Sequence, residues 1–219
     1  MSCPFNHAAG MPTIMEVLKT STASLHDSAE GHQFQRSLVK GDLTREQYAS
    51  YLAQLLFVHR TLEAELRRYA PTTPAIARVV KPYQFQEPYL LEDLAFYGVD
   101  PSRTEPLPAT SAIVEEVRRA SGADPLSLLG YHYVLEGSNN GNVFIARALA
   151  KSFGLTGNEG LRYLNPYGDQ QRPYWAAFKD DMNACGFSPV QMKTLATAAM
   201  SMFKAIGAIS SEMAPAAVA

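Results

Sequence analysis

Residues 128–153 read LLGYHYVLEGSNNGNVFIARALAKSF, and the reading of this stretch decides the fold. Both arms have helical composition. Between them lie six consecutive poor helix formers, Gly137-Ser138-Asn139-Asn140-Gly141-Asn142. On intrinsic propensity such a run costs several kcal/mol relative to alanine, with about 1 kcal/mol for each glycine. Two readings are open. In one, Asn140-Gly141 is a turn that joins two separate helices. In the other, the helix continues with a kink, and its small residues let a flat ligand press against the backbone. Gly137 and Gly141 are four apart, so a continuous helix places them on one face, which favours the second reading.

Working outward, the periodicity is helical nearly throughout. A first helix is predicted over Thr13–Ala29, with Ile14, Val17, Leu18 and Leu25 facing inward and Gly31 just past its end. Thr44 with Gln47 forms a capping box for a second helix, which Pro71 and Pro74 stop. Shorter helices are predicted over Pro88–Tyr97 and Ser111–Ala120, separated by a proline-rich loop. After the central helix come one over Arg172–Ala184 and a last one opened by Ser188-Pro189-Val190-Gln191. No alternating strand pattern appears. The expectation is an all-α single domain of seven or eight helices over residues 13–210. Flexible tails are expected over 1–12 and 211–219.

Composition narrows the function. The chain has 219 residues, 18% of them charged, with a net charge of -2. No basic stripe marks a nucleic-acid surface, so no nucleic-acid partner is expected. No apolar run reaches membrane-spanning length, and the start MSCPFNHAAGMPT lacks the pattern of a secretory signal. Two cysteines, Cys3 and Cys185, make no disulfide framework. The expected setting is the cytoplasm, without membrane attachment, and the expected state is a monomer.

On the first helix, Lys19, His26 and Glu30 fall at spacings of seven and four, so they share a face. A neutral imidazole is a common ligand for haem iron, and a neighbouring acceptor usually fixes its orientation. Glu30 is placed to be that acceptor, and Lys19 to meet an anionic group two turns away. The plain alternative is a solvated helix face with an ordinary histidine.

Two stretches together resemble one family. Leu25-His26-Asp27-Ser28-Ala29-Glu30, followed by Phe34, Lys40-Gly41, Thr44-Arg45-Glu46-Gln47-Tyr48 and Leu62-Glu63, is similar to the first two helices of haem oxygenases. Tyr133-Val134-Leu135-Glu136-Gly137-Ser138-Asn139-Asn140-Gly141 resembles their glycine-rich distal helix, in the bacterial form YVLEGSxxGG. A weaker likeness extends through Phe178–Asn183 into the last helix. The resemblance implies haem as both cofactor and substrate, with His26 as the proximal iron ligand accompanied by Glu30. It implies Lys19, Tyr131 and Lys179 on the propionate side, and Phe203 among the apolar pocket residues. Gly137, Asn140 and Gly141 form the distal segment over the porphyrin. The implied reaction opens haem to biliverdin, carbon monoxide and ferrous iron. It uses dioxygen and electrons from a ferredoxin or flavin reductase.

One departure bears on activity. Where the family usually has a glycine pair, this chain is read with Asn140-Gly141. The Asn140 side chain would crowd the sixth coordination site or donate a hydrogen bond to bound dioxygen. Other histidines have plainer readings: His32 and His59 as surface or capping residues, and His132 as a polar core or surface residue. Tyr174 and Trp175 read as core or pocket rim. Competing functions are a non-catalytic haem-binding or sensing protein on the same fold, and a thiaminase-like or quinone-cofactor enzyme without haem. The last would want a nucleophilic cysteine or paired carboxylates in the cavity.

Overall fold

A computed structural model describes Gly10 and residues 12–214, apart from the side chains of Asp27, Ala29 and Glu30. Among the described residues there are nine α-helices, three single-turn 3-10 segments and no strand. The all-α expectation holds, with more helices than the seven or eight predicted.

The first helix, α1 (Ile14–Glu30), buries Ile14, Leu18 and Thr22. Thr13 and Glu16 cap its start reciprocally: the Thr13 N–H donates to Glu16 Oε2 at 2.7 Å, and the Glu16 N–H donates to Thr13 Oγ1 at 3.3 Å. A short helix, α2 (Gln33–Lys40), went unforeseen because it has only eight residues. Its Phe34 and Leu38 face inward, and Gly41 ends it in the left-handed region at φ 76°. A Cβ at Gly41 would sit 2.9 Å from the Ala148 carbonyl oxygen, so this glycine also lets the turn meet the central helix.

The long α3 (Arg45–Tyr69) carries the expected Thr44/Gln47 capping box. Pro74 does not merely stop α3 but opens α4 (Pro74–Val79) at a position where proline's missing N–H costs nothing. Then come α5 (Glu87–Phe96) and α6 (Pro108–Ala123), both with proline in the first turn. The central α7 (Ser127–Phe153) is followed by α8 (Gln171–Ala184) and α9 (Pro189–Met213). The last helix has the expected Ser188/Gln191 box and continues past Ser210, into the segment read as a tail.

Helix α7 is continuous through Gly137–Asn142, so the two-helix reading is excluded. Side chains in this run bond back to the helix they would otherwise weaken. Ser138 Oγ donates to the Leu135 carbonyl at 2.7 Å, and Asn140 Nδ2 donates to the Gly137 carbonyl at 2.9 Å. Tertiary packing does the rest, because α9 lies along both α7 and α1. Gly130 sets the α7–α9 approach: a Cβ there would overlap the Leu195 carbonyl oxygen. Helix α3 forms the floor, packed on α5 and α6.

Candidate functional site

A cavity of about 310 Å³ opens between α1, α7, α8 and α9, with further wall residues from α2, α3 and the segment before α8. That is at the lower end of the roughly 300–1,000 Å³ typical of small-molecule sites. His26 of α1 borders it, with Phe203 of α9 edge-on at 5.8 Å between ring centroids. Gly137 and Ser138 of α7 supply another part of the wall, and Trp175 of α8 a further one. Val39, 53% exposed, belongs to both the wall and the outer surface. Most of the wall is apolar. His26 is its single histidine. One imidazole suffices for an iron already held in a macrocycle, whereas a bare metal ion would need several protein ligands. A flat apolar group with one such metal fits the residues present.

The structure thus brings together His26, Gly137 and Phe203 from three distant parts of the chain. It does not bring Asn140 or Gly141 to the cavity. Asn140 turns back on its own helix, and its Oδ1 accepts from Gln171 Nε2 at 3.3 Å. Gly141 is exposed, with open space around an added Cβ. The asparagine that borders the cavity is Asn142, 9% exposed. The reason is helical phase. Val134, Ser138, Asn142 and Ile145 follow a four-four-three spacing along the cavity face, while Asn140 lies about 200° round from Ser138. Counting YVLEGSxxGG from Tyr133 puts Gly141-Asn142 at the glycine pair, so the departure from the family pattern is Asn142, not Asn140.

The same phase argument corrects the tyrosine. Tyr131 is 1% exposed and is not in the cavity wall; its hydroxyl donates to Glu116 Oε1 at 3.0 Å. Burial and that carboxylate push its hydroxyl pKa well up. Tyr133, two residues on, borders the cavity instead. Lys19 and Lys179 are exposed and outside the cavity wall. The Glu30 side chain lies outside the described residues.

Behind the wall runs a polar network that the sequence reading missed. His59, expected at the surface, is 3% exposed. Its Nε2 shares a hydrogen bond of 3.2 Å with the hydroxyl of Tyr163, a wall residue, and its Nδ1 lies 3.4 Å from Glu63 Oε1. Burial works against the Glu63 charge, but His59 and the Gln86 and Glu87 N–H groups outweigh it and hold the carboxyl below its ordinary pKa. His132 is buried against Gln84, and burial drives its pKa down to about 4. Glu136, 1% exposed, accepts from the Tyr167 hydroxyl at 2.8 Å, yet burial dominates and raises it to about 7. Its Oε1 has no hydrogen-bond partner among the described residues. The one available signal is spacing: His59 and Glu63 are four apart on a helix, on a face shared with Leu52, Leu55, Leu56, Leu62 and Leu66.

Comparison with known proteins agrees with this architecture. The chain is similar to heme oxygenase 1 of Pongo abelii, 29% identical over 184 residues that cover 80% of this chain and 63% of that one. It is similar to the heme oxygenase of Rhodella violacea, 26% identical over 153 residues, covering 67% of this chain and 63% of that one. The chain therefore spans a little under two thirds of these relatives. Among solved structures, the heme oxygenase of Leptospira interrogans superposes with a TM-score of 0.86 at 24% identity, covering 92% of this chain and all of that one. Heme oxygenase-2 of Synechocystis does so with a TM-score of 0.86 at 20% identity, covering 92% and 85%. These two show the shared fold. The family profile described as "Heme oxygenase" matches residues 13–212, nearly the whole described chain, and the chain belongs to the haem oxygenase family.

Proposed function

We propose that the protein is a haem-degrading monooxygenase. It opens bound haem to biliverdin, carbon monoxide and ferrous iron, using dioxygen and electrons from a ferredoxin or flavin reductase. The observation that carries this is the shared cavity of His26 and the Gly137–Ser138 backbone, from helices more than a hundred residues apart in sequence. Family membership supports the same reading, as do Synechocystis relatives of the same fold whose structures are described as complexes with heme.

When bound, haem supplies the iron that binds and reduces dioxygen, and the ring that is oxidised. The chain's own residues do the rest. His26 holds the metal as a neutral ligand, and Phe203 packed on its ring limits how far that ring swings. Gly137 leaves room for a flat group on the distal side. Asn142, buried and held only by 3.4 Å contacts to Ser138 and Asn139, presents an amide to the same space. Most of the remaining wall is apolar and limits water, which strengthens any polar contact inside. Exposed Lys19 and Lys179 serve the propionates only at the cavity mouth. The family likeness assigns Glu30, whose side chain lies outside the described residues, the role of orienting His26. No described helix is long and apolar enough to cross a membrane.

The test is a haemin titration of the full chain, followed by ascorbate or a ferredoxin system in air. One equivalent of haem with a sharp Soret band, lost in His26→Ala and replaced by biliverdin on reduction, is expected. A Soret band that survives reductant and air would leave a haem carrier or sensor. Absence of stoichiometric binding would leave the fold alone.

A further inference from the structure

Aromatic side chains lie between the cavity and a buried phenol that is paired with a base. They start at Trp175, the only tryptophan of the chain. The indole borders the cavity and lies against the distal helix: a Cβ at Gly137 would be 3.3 Å from its Cη2. The rings that meet the indole are Phe178 at 5.2 Å and Tyr133 at 6.0 Å, and the residue one peptide bond before Trp175 is Tyr174. The Tyr174 ring stacks on Tyr83 at 4.0 Å and 20°, and meets Tyr167 edge-on at 5.3 Å. Tyr83 also meets Tyr167 at 5.8 Å. Tyr167 is 8% exposed, accepts from Gln86 Nε2 at 3.0 Å, and donates to Glu136 Oε2 at 2.8 Å.

Indole and phenol, together with the thiol, are the side chains most easily oxidised by one electron. A phenol loses its proton when it loses an electron, so it is a good donor only where a base can take that proton. Among the described residues, no carboxylate is bonded to the hydroxyls of Tyr174 and Tyr83, and one is bonded to that of Tyr167. Burial pushes the Tyr167 hydroxyl far above its ordinary pKa, which forbids prior deprotonation and ties electron and proton loss together. Glu136 has a second oxygen without a partner and a proton affinity matched to neutral pH, so it can accept and hold the proton.

We propose that Trp175, Tyr174 and the Tyr167–Glu136 pair form a one-electron donor path that supplies reducing equivalents to the cavity. Trp175 gives one electron to a strong oxidant in the cavity. Tyr167 gives one electron through Tyr174 to restore Trp175, and its proton crosses to Glu136 Oε2. The net product is a neutral Tyr167 phenoxyl and protonated Glu136, which a small reductant of the ascorbate or thiol class returns to phenol and carboxylate. The path protects the cavity against oxidising equivalents that arise off the main reaction. The natural oxidant, a peroxide reacting at the bound metal, rests on the haem reading above. The transfer along the aromatic series does not.

The test therefore runs first on the haem-free full chain. Azide radicals generated by pulse radiolysis oxidise Trp175, and transient absorption follows the tryptophyl and tyrosyl bands. First-order conversion of one into the other, independent of protein concentration, is expected. Tyr167→Phe and Glu136→Gln should each slow it by an order of magnitude or more, with circular dichroism unchanged. Deuterated solvent should slow the wild type and not Tyr167→Phe. Equal rates in all three proteins would overturn the proposal, as would a tryptophyl radical that decays without any tyrosyl signal. Haem-loaded protein treated with hydrogen peroxide should then give a tyrosyl electron paramagnetic resonance signal that Tyr167→Phe abolishes. Transfer without haem binding would sink only the oxygenase reading. Haem binding with unaltered transfer in the variants would sink only the path.

Discussion

His26 and Phe203 meet edge to face, at 5.8 Å between centroids and 63° between planes, and so join the first and last helices at the cavity. Phe203→Ala removes this support from the imidazole without touching the iron ligand. Haem affinity should fall by about tenfold, equivalent to 1.4 kcal/mol, and Phe203→Leu should lie between the two. Titrations followed at the Soret band measure this; equal affinity for all three proteins would deny Phe203 its role.

Two glycines of the central helix should respond oppositely to alanine. At Gly137 the new Cβ meets only the end of the Trp175 indole at 3.3 Å, and helix propensity improves by about 1 kcal/mol. Gly137→Ala should keep or raise stability while weakening haem binding. At Gly130 the Cβ overlaps the Leu195 backbone, which cannot move without shifting α9. Gly130→Ala should cost about 3 kcal/mol. Denaturant midpoints separate the two.

Glu136 gives stability an unusual pH dependence for a carboxyl group. Its folded pKa of about 7 lies above the ordinary 4.5. The folded chain therefore holds a proton that the unfolded chain has lost between these values. Stability falls as pH rises through that window, by roughly 3 kcal/mol in all. Asp93, raised by burial to about 6, adds a slope of the same sign. The difference between wild type and Glu136→Gln isolates the first. Urea unfolding at about pH 5 and about pH 8 should show Glu136→Gln losing less stability than wild type across the interval; parallel behaviour would contradict the assignment.

Asn142 and Asn140 should separate cleanly in a spectroscopic test. Carbon monoxide bound to the ferrous haem protein reports distal polarity through its stretching frequency. Asn142→Gly should shift that band, and Asn140→Gly should leave it in place, since Asn140 is occupied by Gly137 and Gln171. The reverse pattern would restore Asn140 to the distal site.

Most of the architecture was legible because it is written in local rules. Thr44 with Gln47, Ser188 with Gln191, and proline in first turns marked helix starts where the structure has them. The short α2 and α4 escaped, since eight and six residues give too little periodicity to read. His26, Gly137 and Phe203 were found through family likeness and do meet at one cavity. Asn140 stands two residues before the motif position, which Asn142 occupies, and on a helix two residues reverse the direction of a side chain. The buried network of His59, Glu63 and Glu136 is not legible in the sequence, because a charged residue mid-helix looks solvated until its partners arrive from elsewhere in the chain. Those partners, Gln86 and Tyr167, sit in or beside short connections that carry no pattern.

The weak run Gly137–Asn142 holds its helical shape through its neighbours rather than through its own propensity. Cooperative opening should therefore begin there, with its amides trading hydrogen for deuterium before those of either flanking arm. A ligand seated against that backbone would slow the exchange. The distal wall is then a latch whose protection factor reads out occupancy, even under conditions in which no reaction proceeds.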